Sequence, residues 1–150
     1  TCWRGDKRAI GIVLVAHGGV AREYLSAVEH VVGPQAGMRA ITIEDVHDRA
    51  AKQAEICQAA DSVDGGGGVV IVTDMFGGSP SNLSLMACAG AERRIVYGAN
   101  LPMLIKLAKS RDLPVAEAVA AALEAGRKYI NSLERGGGAK RGGSGDQDRQ

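Results

Sequence analysis

The stretch Val69-Val70-Ile71-Val72-Thr73-Asp74-Met75-Phe76-Gly77-Gly78-Ser79-Pro80 decides how the rest of this chain is read. A short, uninterrupted β-branched run suits a parallel strand covered on both faces. Asp74 places a carboxylate at the end of that strand. Gly77 and Gly78 let the backbone approach a ligand closely, and Pro80 suits the first turn of a following helix, where its missing N–H costs nothing. A carboxylate followed by free helical N–H groups is a place for phosphate chemistry.

Outward from this point, strands and helices alternate. Upstream, Ile10-Gly11-Ile12-Val13-Leu14-Val15 is a second continuous apolar run of strand length. Ala21, Tyr24, Leu25, Val28, Val31 and Val32 then recur at helical spacing until Gly33-Pro34 stops the helix. Residues 38–43 predict another strand, and residues 49–63 a helix with Ala50, Ala54, Cys57 and Ala60 as a narrow face able to pack close to a sheet. Downstream, a helix is expected from Pro80 to about Gly90, a strand at Arg94-Ile95-Val96-Tyr97-Gly98, a short helix over 101–108, and a last helix opened by Pro114. Val115, Val119, Ala122, Leu123 and Gly126 share one face of that last helix.

The order β-α-β-α-β-α-β-α-α, with right-handed crossovers, implies an α/β fold: an open, doubly wound, mainly parallel sheet of four strands with helices on both faces. Three parts are expected: an N-terminal extension over 1–9, one domain over 10–134, and a disordered polar tail over 135–150, where glycine runs alternate with charges.

Composition narrows the partners. With 45% of its residues hydrophobic, a chain of 150 residues can build a single core. A formal charge of +1, without basic residues interleaved with aromatics, argues against a nucleic-acid partner. Cys2, Cys57 and Cys88 are odd in number and widely spaced, which suggests neither a disulfide framework nor a zinc site. No run approaches the ~18 apolar residues of a membrane span, and the N-terminus lacks a signal peptide's apolar core, so a cytoplasmic location is expected.

In an open α/β sheet, ligands bind outside the carboxyl ends of the strands. Those ends carry Ala16-His17-Gly18-Gly19 after the first strand, Asp74 with its glycine turn after the third, and Ala99-Asn100-Leu101-Pro102 after the fourth. A neutral imidazole, with an ordinary pKa near ~6.5, is a competent nucleophile when one nitrogen is held protonated and the other is aimed at the electrophile. Asp74 would hold His17 in that tautomer, and backbone N–H groups around Gly78 and Ser79 would receive phosphoryl oxygens. The set reads as a phosphohistidine carrier. His30 and His47 have no neighbouring ligand pair, so no metal is expected. The glycine turn lacks the Gly-Lys-Ser/Thr of a nucleotide loop, and Gly18-Gly19 lacks the spacing of a dinucleotide fingerprint, so no cofactor is expected either.

The segments Ile12-Val13-Leu14-Val15-Ala16-His17-Gly18, Val72-Thr73-Asp74-Met75-Phe76-Gly77-Gly78-Ser79-Pro80-Ser81-Asn82 and Tyr97-Gly98-Ala99-Asn100-Leu101-Pro102-Met103-Leu104 resemble the motif regions of the mannose-type (mannose/fructose/sorbose) enzyme IIA components of the bacterial sugar phosphotransferase system. The resemblance covers about residues 10–133. It implies that His17 is the phosphorylated histidine, Asp74 its partner carboxylate, and Gly77, Gly78 and Ser79 the phosphate-binding turn. It further implies phospho-HPr as donor, a IIB protein or domain as acceptor, a membrane transporter met only indirectly, and a phosphotransferase role without metal or nucleotide. The family forms homodimers that exchange a C-terminal antiparallel edge strand, and Arg127-Lys128-Tyr129-Ile130-Asn131-Ser132-Leu133, which on its residues alone either extends the last helix or forms a short edge strand, matches that segment. One departure is that Gly19-Val20 stand where the family often carries bulkier residues. Two alternatives stay open: a regulatory phosphocarrier of the same family without a dedicated transporter, and the phosphocarrier domain of a dihydroxyacetone kinase system.

Overall fold

The computed structural model describes residues 9–44, 48–75 and 92–135. The glycine-serine turn at Gly77, Gly78 and Ser79, the helix expected from Pro80, and nearly all of the N-terminal extension and C-terminal tail lie outside the described residues. The elements in chain order are β1 (Gly11–His17), α1 (Val20–Val32), β2 (Met38–Ile43), α2 (Arg49–Val63), β3 (Val69–Thr73), β4 (Arg93–Tyr97), α3 (Leu101–Lys109) and α4 (Val115–Lys128).

The strands form one sheet in the order β2-β1-β3-β4, and every neighbouring pair is parallel. Continuous apolar runs are needed here because the central strands are covered twice. In β1, Ile12, Leu14 and Ala16 face a layer built from Ala21 and Val28 of α1, Leu104 and Leu107 of α3, and Ala118 and Ala122 of α4. Val13 and Val15 face the other way, onto Ile56, Ala59, Ala60 and Val63 of α2. The expected doubly wound sheet is therefore present, with helices on both faces.

The sheet-facing side of α2 differs from the sequence expectation. Ala50 and Ala54 are exposed, and the buried positions are Ile56, Ala59, Ala60 and Val63. The two largest aliphatic side chains, Ile56 and Val63, set the helix rotation, since they hold most of the apolar area there is to bury. Gly11 permits the close approach of this helix end to the sheet. A β-carbon at Gly11 would lie 2.5 Å from Cγ2 of Val63 and closer still to its carbonyl oxygen.

Two arginines tie down the amino-terminal edge. The Arg111 guanidinium donates to the carbonyls of Ile10 (2.7 Å) and Gly37 (3.2 Å) and to the side chain of Gln35. Arg93 donates to Asp61 at 2.8 Å and Asp64 at 3.1 Å, joining the start of β4 to the end of α2. The carboxyl edge is left for loops.

Helix α4 continues through Arg127 and Lys128, where cations suit the negative end of a helix dipole. Residues 129–135 then run without regular structure in the single chain, and Tyr129, Ile130 and Leu133 are 62%, 71% and 94% exposed. Among the described residues the expected edge strand is thus not one of the four strands, and its first two residues are helical. Among the described residues no helix is long and apolar enough to cross a membrane.

Candidate active site

His17 is the last residue of β1, and Asp74 follows directly on β3, the strand paired beside it. Parallel pairing matches Val15 with Thr73, so the two chain ends leave the sheet at the same level. A 57-residue separation in sequence closes to a double contact. The backbone N–H of His17 donates to Oδ2 of Asp74 at 3.0 Å, and its ring Nδ1 lies 2.9 Å from the same oxygen.

The charge state of this pair follows from its surroundings. Burial pushes the Asp74 carboxyl up, but the His17 backbone N–H, the ring hydrogen bond and the charge of the ring outweigh it, and the carboxyl ends below its ordinary value of 3.8. Asp74 is therefore an acceptor-only carboxylate near neutral pH, so the Nδ1 facing it carries the hydrogen. With Nδ1 as the donor, the other ring nitrogen available for chemistry is Nε2. The His17 side chain is 48% exposed and that of Asp74 19%, which leaves the ring open to a partner while its anchor is sheltered. The second carboxylate oxygen, Oδ1, is buried and has no hydrogen-bond partner among the described residues.

Loop contacts keep the three strand ends together. The N–H of Ala99 donates to the carbonyl of Thr73 at 3.2 Å, and the Tyr24 hydroxyl of α1 donates to the carbonyl of Ala99 at 3.3 Å. Asn100 caps α3 by accepting from the N–H of Met103 at 3.0 Å, and its amide donates to the carbonyl of Gly126 at 3.0 Å. Because Gly126 has no β-carbon, α4 can come this close; a β-carbon there would lie 3.2 Å from the Asn100 oxygen. In the sequence Asn100 shows only as a strand-end residue and Tyr24 only as part of an apolar helix face; neither the bond to α4 nor the bond to Ala99 has a local signal.

Of the site residues expected from sequence, His17 and Asp74 are brought together, while Gly77, Gly78 and Ser79 lie outside the described residues. His30 is exposed near the end of α1, and His47 lies outside the described residues.

An open parallel α/β sheet whose carboxyl edge presents a histidine held by a carboxylate defines the class of this protein. The family model described as PTS system fructose IIA component matches residues 11–124, and the chain belongs to that family. The mannose-specific EIIAB component of the PTS system of Escherichia coli strain K12 is 28% identical over 128 residues, covering 83% of this chain and 40% of that protein. The chain thus spans about 40% of the length of the curated relatives it matches. Among solved structures, the mannose/sorbose specific IIA subunit of the phosphotransferase system from Enterococcus faecalis superimposes with a TM-score of 0.76 at 25% identity, covering 85% of this chain and 96% of that one. The PTS IIA protein associated with the fucose utilization operon of Streptococcus pneumoniae gives 0.71 at 26% identity, covering 82% and 93%.

Proposed function

We propose that this chain is a phosphohistidine carrier of the bacterial phosphotransferase system, taking a phosphoryl group from phospho-HPr onto His17 and passing it to a IIB protein or domain for sugar uptake. The observation that carries this reading is the 2.9 Å contact between Nδ1 of His17 and Oδ2 of Asp74 on a half-exposed ring. With Nδ1 engaged by Asp74, Nε2 is the ring nitrogen left to a protein-borne phosphoryl group.

In the forward step, Nε2 attacks phosphorus, a new P–Nε2 bond forms, and the donor's P–N bond breaks with its electron pair returning to the donor ring. No proton has to leave His17. Its Nδ1–H stays on Oδ2, and the positive charge that the ring acquires is balanced by the Asp74 carboxylate. Passing the group to the acceptor reverses these events. Backbone N–H groups at Gly77, Gly78 and Ser79 are assigned to the phosphoryl oxygens on sequence and family resemblance. The protein works in the cytoplasm, and reaches a membrane transporter only through the acceptor.

The same reading includes a homodimer. Tyr129, Ile130 and Leu133 are too apolar to stay exposed, and pairing of residues 129–133 with a sheet edge of a second copy would cover both in a closed symmetric pair.

Incubation with phospho-HPr tests the assignment. One acid-labile, base-stable phosphate per chain is expected, chased off by a IIB acceptor and absent from His17→Ala. Undiminished labelling of His17→Ala, or label on His30 or His47, would refute it.

A further inference from the structure

We propose that Arg22 is the cation that meets the phosphoryl group carried by His17, acting from the side of the ring opposite Asp74. The inference rests on the phosphocarrier reading and goes beyond it by naming a phosphate-binding side chain.

A phosphoryl group on His17 brings about −2 charges to an edge that already holds the ionised Asp74. Like charges this close repel, and only the single positive charge of the ring stands between them. A compensating cation at the edge would relieve this.

Among the described residues, Arg22 is the basic side chain placed for it. Arg22 sits in the first turn of α1, five positions after His17, and is exposed. Its guanidinium folds back toward the sheet. One terminal nitrogen lies 3.5 Å from where a β-carbon of Gly19 would be, and the other is 3.5 Å from the hydroxyl of Thr42. Thr42 is on β2, one position before Ile43, the register partner of His17. Asp74 flanks His17 from β3, while the guanidinium lies near the end of β2, the neighbour of β1 on its other side, at Thr42, the register partner of Ala16.

Among the described residues, only the Thr42 hydroxyl contacts this charge. A contact of 3.5 Å is at the limit of a hydrogen bond and commits the group weakly. Among the described residues Arg22 has no carboxylate partner. Lys52, which also approaches the end of β2, is engaged with Glu55 at 2.7 Å, Glu44 at 3.7 Å and the carbonyl of Thr42. Arg93 and Arg111 are tied to the amino edge. A cation in the first turn of a helix is also placed against the helix dipole, a local cost of the kind that functional sites carry.

The test uses chemical phosphorylation by phosphoramidate, which removes any dependence on the donor protein, followed by a ³¹P titration of phospho-His17. A unit charge a few ångströms from an ionising group at a protein surface moves its midpoint by about half a unit or more. Arg22→Gln is therefore expected to raise the phosphoryl midpoint by about 0.5 unit, while Asp74 stays in place as a constant background. Arg22→Lys, which keeps the charge, should restore most of the shift. Transfer from phospho-HPr to Arg22→Gln should slow by about 3- to 10-fold, with Arg22→Lys in between. A midpoint within about 0.1 unit of wild type in Arg22→Gln would overturn the assignment of Arg22 alone. Failure of wild type to take label on His17 from either donor would overturn the phosphocarrier reading, and this inference with it.

Discussion

Replacing Asp74 by Asn isolates the charge of the carboxylate from its shape. In the wild type one oxygen, Oδ2, accepts both the backbone N–H of His17 at 3.0 Å and Nδ1 at 2.9 Å. An amide oxygen in that place can accept both bonds, and the amide nitrogen then occupies the position of Oδ1, already without a partner among the described residues. Geometry and tautomer are thus kept, and the balance of the ring's positive charge is lost. A hydrogen bond to a charged group is worth about 1.5–3 kcal/mol, and the 48% exposure of the His17 side chain favours the lower end through solvent screening. About 1.4 kcal/mol is tenfold in rate, so Asp74→Asn should accept phosphate roughly 10-fold more slowly than wild type. Asp74→Ala also frees the ring to rotate and change tautomer, and should fall further, by about 10²- to 10⁴-fold. Single-turnover rapid-quench transfer from phospho-HPr measures both. An Asn variant within twofold of wild type, or an Ala variant as fast as Asn, would refute the charge-balancing role.

Three other outcomes follow from the same geometry. Because the folded Asp74 carboxyl lies below its ordinary value of 3.8, its contribution to stability is present above that value and lost as pH falls through the folded one. Urea midpoints should therefore favour wild type over Asp74→Asn at about pH 6 and converge in strong acid; a gap unchanged in acid would contradict this. Gly11→Ala would place a β-carbon 2.5 Å from Cγ2 of Val63, and should cost about 2–3 kcal/mol, seen as a Tm lower by on the order of 5–10 °C; an unchanged Tm would mean α2 shifts freely. Removing everything after Lys128 should convert a dimer to monomer or aggregate by light scattering, and a stable dimer would show that residues 129–133 are not its joint.

The residues explain which of these features were legible in the sequence. Strands β1 and β3 were plain because Ile12 to Val15 and Val69 to Val72 are unbroken aliphatic runs, a pattern that only a doubly covered strand explains. The pairing of His17 with Asp74 followed from where those runs stop, since parallel strands of one sheet deliver their carboxyl ends to one edge. The rotation of α2 was not legible, because Ala50, Ala51, Ala54, Ala59 and Ala60 offer several small-residue stripes and alanine carries little area to choose among them. Arg111 was equally silent: its 2.7 Å bond to the carbonyl of Ile10 spans 101 residues and no local pattern announces it. The double use of a single Asp74 oxygen belongs to the same kind, being a matter of ångströms at a strand end.

The phosphocarrier role of His17 turns on which ring nitrogen carries phosphorus, since Asp74 holds one and leaves the other free. Phosphorylation of ¹⁵N-histidine-labelled protein, read by ³¹P–¹⁵N coupling and ring-proton correlations, identifies it directly. Phosphorus bonded to Nε2, with a protonated Nδ1 still hydrogen-bonded to Asp74, is the predicted result. Phosphorus on Nδ1, or on no nitrogen of His17, would contradict the role given to the His17–Asp74 pair.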